Sequence, residues 1–274
     1  MNQLSSSDRV RIVACLVEGN SLRSTCRITG FHRTTIMNLL TDLGEACAQY
    51  QSQIFRNLPF KRMECDEIWC FVGCKERNVP TKQKGRGRGD IWTWTAIDTE
   101  SKVVPCWHVG LRDLDAAYRF MHDLSSRMAH RIQLSTDGYR PYAIAAEDAF
   151  GSEIDYGQVV KVFSGMETSA ETRYSRPKYV ESRKVRVKGK PDMKKVSTSI
   201  CERNNLTMRM GMRRFTRLTN AFSKKVENHA HAVALHFMHY NFCRVHGSLR
   251  VTPAMQAALS DHVWDLEEIV RLLD

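Results

Sequence analysis

The feature that most constrains the fold is a change of period along the chain. Apolar and polar residues alternate from Arg62 to Lys75, and two further strand-like segments follow, Ile91 to Ile97 with Trp92 and Trp94, and Val103 to Val109. A period of two, rich in Ile, Trp, Phe and Val, belongs to strands buried on one face. Their connections are short, one being the basic turn Lys84-Gly85-Arg86-Gly87-Arg88-Gly89, which predicts an antiparallel meander. The period then becomes helical. Asp113 is placed to cap a helix that runs to about Ala129, with Leu114, Ala117, Met121 and Leu124 inward. A strand over Ile132–Thr136, a helix over Tyr142–Phe150 and a last strand over Ile154–Phe163 follow.

Three strands, helix, strand, helix, strand is the order of a ribonuclease H-like α/β fold, a mixed sheet flanked by helices. In that fold the first and fourth strands are neighbours. The expected organisation has three parts: a helical module over 1–58, the ribonuclease H-like domain over 59–250, and a helical tail over 251–274. In the first, Ser7 or Asp8 caps a helix carrying Val10, Val13, Leu16 and Val17, which ends at Gly19-Asn20. Ser21 starts a short helix that closes near Gly30. A longer one follows, with Ile36, Leu39, Leu40, Leu43 and Cys47 on one face. This is the layout of a helix-turn-helix, which would offer Arg33, Thr34, Thr35 and Asn38 to base edges or phosphates. The alternative is a small bundle that only packs on the rest. Near the C-terminus the pattern predicts a long helix from about Ser223 to Cys243 and a tail helix from Trp264 to Leu273.

Charge points the same way. Forty-one Lys and Arg against thirty acids give the 274 residues a net charge of +11. A strongly basic chain suits a polyanion, although a basic soluble enzyme is the simpler alternative. Residues 164–199 hold ten basic residues against four acids, a net of +6, and lack periodicity. They read as a long basic loop, with a possible hairpin around Val185-Arg186-Val187. No apolar run approaches the roughly 20 residues that span a bilayer, and the first residues lack a leader pattern. The expectation is a cytoplasmic protein, with nine scattered cysteines as free, mostly buried thiols.

Two aspartates stand out. Asp66 lies within a strand, in Met63-Glu64-Cys65-Asp66-Glu67-Ile68-Trp69, where a carboxylate is costly unless paired or metal-bound. Asp137 ends the fourth strand, where ligands gather in open α/β sheets. Neighbouring carboxylates repel unless a cation lies between them. Mg²⁺ or Mn²⁺ would suit such oxygen ligands, and two ions would serve phosphodiester chemistry. Glu202, on the helix after the basic loop, is the candidate third ligand. Each has an ordinary alternative: an exposed strand edge, an Asp-Gly turn, and a capping box in Ser199-x-x-Glu202. From Arg203 to Lys225 the chain carries Arg203, Arg209, Arg213, Arg214, Arg217, Lys224 and Lys225 and no acid, with 202, 205, 209 and 213 near one helix face. These seven are candidate DNA contacts, or a solvated basic face.

The chain resembles bacterial DDE transposases of the insertion-sequence-one type over roughly 60–250. The resemblance rests on Cys65-Asp66-Glu67-Ile68-Trp69, Gly89 to Asp98, Gly110-Leu111-Arg112-Asp113, Thr136-Asp137-Gly138, Thr198 to Asn205 and Arg214 to Lys225. It implies that Asp66, Asp137 and Glu202 are the catalytic and metal-binding triad for two Mg²⁺ or Mn²⁺ ions. It also implies double-stranded DNA as partner, both terminal inverted repeats and target, and a homo-oligomer in the synaptic complex. Some such proteins begin with a cysteine-rich zinc segment. Here Cys15, Cys26 and Cys47 lack that spacing, and no zinc site is expected among the cysteines or the histidines His229, His231, His236 and His239. Two alternatives remain open: a DNA-binding regulator with a silent nuclease domain, and a ribonuclease H-like resolvase.

Overall fold

The computed structural model describes residues 4–163, 179–216 and 220–274. Three helices come first: α1 (Ser6–Val17), α2 (Leu22–Thr29) and α3 (Arg33–Ile54). The cap of α1 is Ser5 rather than Ser7 or Asp8: its hydroxyl accepts the Asp8 N–H at 3.1 Å and thereby draws Ser7 into the first turn. Ser21 caps α2, and Gly30, at φ 80°, closes it in the left-handed region that glycine enters without strain.

Helix α3 runs well past its expected apolar positions, to Ile54, because its second half has its own partner. That partner is α7 (Val226–Met238). Gln51 donates to the carbonyls of Cys47 and Ala234 at 3.1 and 3.2 Å, and accepts from Asn241 at 3.2 Å. Gly44 lets the helices touch, since a Cβ there would fall 2.3 Å from the Cβ of His231. All five apolar positions expected on α3 are buried. They share one core cluster with Met63, Trp94 and Phe120, so the N-terminal trio and the sheet bury apolar surface together.

The sheet is mixed, in the order β3-β2-β1-β4-β5-β6. Its strands are β1 (Arg62–Val72), β2 (Gly89–Asp98), β3 (Cys106–Gly110), β4 (Ile132–Asp137), β5 (Ile154–Phe163) and β6 (Tyr179–Lys188). The meander β1-β2-β3 is antiparallel, β1 and β4 are parallel neighbours, and β4 pairs parallel with β5. Strand β6 corrects the expectation that β5 is the last strand. It runs antiparallel to β5 at the sheet edge, and nearly all its residues are exposed. It contains Val185-Arg186-Val187, where the sequence suggests a hairpin, but with neither face buried that short alternation is its whole signal. Residues 164–178 of the expected basic loop lie outside the described residues.

Alternation along β1 divides the interior. Met63 and Cys65 face the core shared with α4 (Leu114–Arg127) and α5 (Arg140–Phe150). Ile68 and Cys70 face the second core, with α6 (Ser199–Gly211) and α7. Helix α4 is capped by Asp113 as expected, but Leu114 is 37% exposed, being in the first turn before the helix reaches the sheet. Helix α7 starts at Val226, not Ser223, because Ser223 bridges to Val72 of β1. It passes into a π-helical turn, His239–Cys243. Short helices α8 (Pro253–Gln256) and α9 (Leu266–Arg271) close the chain, with Trp264 against the rings of Tyr50 and Phe242. Among the described residues no helix is long and apolar enough to cross a membrane.

Candidate active site

Strands β1 and β4 pair from Arg62–Gln133 to Glu64–Ser135. Asp66 lies two residues beyond this pairing, and Asp137 is the last residue of β4. The two aspartates therefore meet where the strands part. Carboxylate oxygens of Asp66, Asp137 and Glu67 lie within 4.8 Å of one another. They open into a groove of about 600 Å³, whose walls also carry Arg112, Lys161, Glu202, Asn205 and Arg209.

Each acid is held differently. Asp66 accepts from Asn205 Nδ2 at 2.8 Å. Burial, then the charges of Glu67 and Asp137, push its carboxyl from 3.8 up to about 7. Asp137 Oδ1 accepts the Tyr139 N–H at 3.0 Å, a local turn that fixes its rotamer. Its Oδ2 is 3.8 Å from Arg112. Glu67 is clamped by the Arg112 guanidinium on one oxygen and by the Tyr142 hydroxyl, at 2.9 Å, on the other. Its side chain is 3% exposed. Arg112 in turn lies 3.8 Å over the Tyr139 ring, so its orientation is set from a second side.

Glu202 lines the same groove but is not one of the three closest acids. Its Oε1 accepts from Lys161 Nζ at 2.7 Å and from Thr198 Oγ1 at 2.9 Å. Its side chain is 45% exposed, so this pair is solvated and exchangeable.

The capping-box alternative for Glu202 is not what forms. Thr198 is the cap residue of α6, and it makes no side-chain cap bond to the backbone. The capping acceptor comes from another strand: Glu64 Oε2 takes the N–H groups of Ile200 and Cys201 at 2.7 and 3.1 Å. Glu64 is almost wholly buried. Burial raises its carboxyl, while those two N–H bonds act in the opposite direction. An acid two residues before Asp66 thus docks the start of the helix that carries Glu202 and Asn205.

The candidate DNA contacts divide. Arg33, Thr34 and Asn38 are exposed on the first turns of α3, and Thr35 is partly so; none lines the groove. Arg203, Lys224 and Lys225 are exposed, and Arg209 is on the groove wall. Arg213 is exposed but off the expected helical face, because α6 ends at Gly211 and Arg213 starts a 3-10 turn. Arg214 is half-buried and has a partner within the protein. It donates to Ser223 Oγ at 2.8 Å, and burial lowers its guanidinium to about 10. Arg217 lies outside the described residues. His229 and His236 are buried, and desolvation lowers each to about 3. His229 is 3.0 Å from Ser223 Oγ and 3.5 Å from Cys70 Sγ.

Glu64, Glu67, Arg112, Lys161 and Asn205 are site residues that sequence reasoning did not single out. Asn205 carried a signal of its own, the helical spacing it shares with position 202, while Glu67 and Arg112 fell inside the resemblance motifs with no role assigned. Glu67 was hidden because alternation directs it to the face opposite Asp66. No family model matches the chain, and no curated protein matches it.

Proposed function

We propose that this protein is a DNA transposase of the DDE type, with a ribonuclease H-like catalytic fold and an N-terminal helix-turn-helix. The observation that carries the reading is the meeting of Asp66 and Asp137, from adjacent parallel strands, in a groove whose opposite wall bears Glu202, Asn205 and Arg209.

The donor set fits hard divalent cations. All three nearest ligands are carboxylates, and the raised Asp66 marks negative charge without a full counterion. Asn205 Oδ1, buried beside Asp66, has no hydrogen-bond partner among the described residues. Asp66, Asp137 and Glu202 would hold Mg²⁺ or Mn²⁺, Glu202 on exchanging Lys161 for the ion. When bound, two such ions activate a water or 3′ hydroxyl and stabilise the leaving oxygen of a phosphodiester. Around them Asn205 and Tyr139 orient the two aspartates. Lys161 and Arg209 face the groove as phosphate partners. Arg33, Thr34, Thr35 and Asn38 read the terminal repeats, and a homo-oligomer joins two DNA ends.

A second reading has support of its own. The 4.8 Å cluster contains Glu67 and not Glu202. We favour Glu202 because Glu67 is already neutralised by Arg112 and enclosed, whereas the Lys161 pair is solvated. The test is a cleavage and strand-transfer assay on duplexes taken from the genomic DNA that flanks the gene on each side. Products should require Mg²⁺ or Mn²⁺ and vanish in Asp66→Ala, Asp137→Ala and Glu202→Ala. Full activity in any of the three refutes its assignment. Binding without cleavage indicates a regulator, and cutting of branched DNA without strand transfer indicates a resolvase.

A further inference from the structure

We infer that Trp69, Phe71 and Phe222 form a stacking platform for unpaired bases of a DNA strand leaving the Asp66 groove. The inference rests on the DNA reading above and adds the state of the DNA that is held.

The outer half of β1 carries this surface. Pairing with β4 ends at Glu64, but pairing with β2 continues to Val72–Gly89. This projecting half bears Asp66 and then Glu67, Trp69 and Phe71, the last three on one face. At ~3.3 Å per residue, Trp69 lies about 10 Å and Phe71 about 17 Å along the strand from Asp66. Phe222 extends the strip. Ring centroids are 5.8 Å apart for Trp69–Phe71 and 4.9 Å for Phe71–Phe222.

The strip is not part of either core. Among the described residues, none of the three rings belongs to the two buried clusters or to the side chains packed against them, and each is partly exposed. Phe222 is nonetheless fixed in place by its neighbour. The Ser223 carbonyl accepts the Gly73 N–H at 2.8 Å, and its hydroxyl takes Arg214. A half-exposed aromatic strip that lies outside both cores, on the strand that carries Asp66, is a candidate interaction surface.

Cations specify the occupant. Lys224 Nζ lies 3.9 Å from the Phe222 ring centre and Lys75 Nζ 5.8 Å from that of Trp69. The adjoining segment 75–88 holds six basic residues and one acid, Glu76. Flat π-faces interleaved with positive charge suit bases and phosphates together, and stacking requires that the bases be unpaired. Intact duplex offers phosphates but hides its base faces.

The experiment compares full-length wild type, Trp69→Ala and Phe222→Ala by fluorescence anisotropy. The probes are a labelled thymidine strand of about 20 nucleotides and a duplex of equal length, in EDTA. Each alanine variant should weaken single-strand binding roughly 5- to 100-fold. Duplex affinity should change by less than about twofold, and Phe222→Tyr should keep most single-strand affinity. Equal losses on both probes, or an unchanged single-strand affinity in Phe222→Ala, would overturn the inference. Phe222 is outside the helices and cores, so its variant remains decisive if Trp69→Ala unfolds. Asp66→Ala should retain single-strand binding. A wild type that transfers no strands, yet loses single-strand affinity on Phe222→Ala, would sink the transposase reading and leave the platform standing.

Discussion

Replacing Asp66 by Asn should stabilise the metal-free protein at pH 8 while removing its chemistry. The carboxyl titrates at 3.8 ordinarily and at about 7 in the fold, where burial and two neighbouring acids oppose its charge. Between those values the folded state holds the extra proton. Stability therefore falls as pH rises from about 4, and the loss is complete above about 7. Three units at 1.36 kcal/mol each bound the penalty at roughly 4 kcal/mol. The groove is open and Asp66 is partly exposed, so about 2 kcal/mol is the expected net effect. Asn keeps an oxygen to accept from Asn205 and does not titrate. Thermal unfolding in EDTA should place the variant about 4–8 °C above wild type at pH 8, with the difference nearly gone at pH 4. Added Mg²⁺ should raise the wild-type midpoint and leave the variant's nearly unchanged, because an ion bound only by the folded state stabilises it. A midpoint difference of equal size at pH 4 and pH 8, or none at either, would refute this electrostatic account.

Glu64→Ala should cost about 1–3 kcal/mol, since two buried N–H groups of α6 lose their acceptor, and Glu64→Gln should recover part of it; chemical denaturation measures both. It should also lower metal affinity, because the helix carrying Glu202 and Asn205 loses its dock on β1. Arg203→Ala should reduce the salt slope of DNA binding by about one, while Arg214→Ala should lower stability and leave that slope unchanged. Equal slopes for the two variants would show that Arg214 reaches DNA after all.

The fold was legible where one face of an element is buried. The alternation of β1 and β2, the caps Ser21 and Asp113, and the apolar face of α3 each carry a local signal that the packing obeys. Strand β6 was legible only in part, as the possible hairpin around Val185-Arg186-Val187, because an exposed edge strand has no buried face to extend that signal. The two aspartates were legible as misfits, carboxylates among strand residues. Their surroundings were not. Glu64 looks like one more acid beside Asp66, and only the tertiary docking of α6 makes it a helix cap. Arg214 has the same sequence character as Arg213, but a turn between them sends one inward and one outward. Lys161 is on a strand whose alternation says nothing about a glutamate forty-one residues away.

The claim that Asp66, Asp137 and Glu202 form one metal site is tested most directly by calorimetric titration of Mn²⁺ at pH 8. Wild type should bind, and Asp66→Asn, Asp137→Asn and Glu202→Gln should each weaken binding by about tenfold or more, the scale expected for a lost ligand or its support. Glu67→Gln, whose native partners are Arg112 and Tyr142, should change it by less than about threefold on the same scale. If Glu67→Gln abolishes binding and Glu202→Gln does not, the third ligand is Glu67. If neither aspartate variant binds more weakly than wild type, the site is not a metal centre.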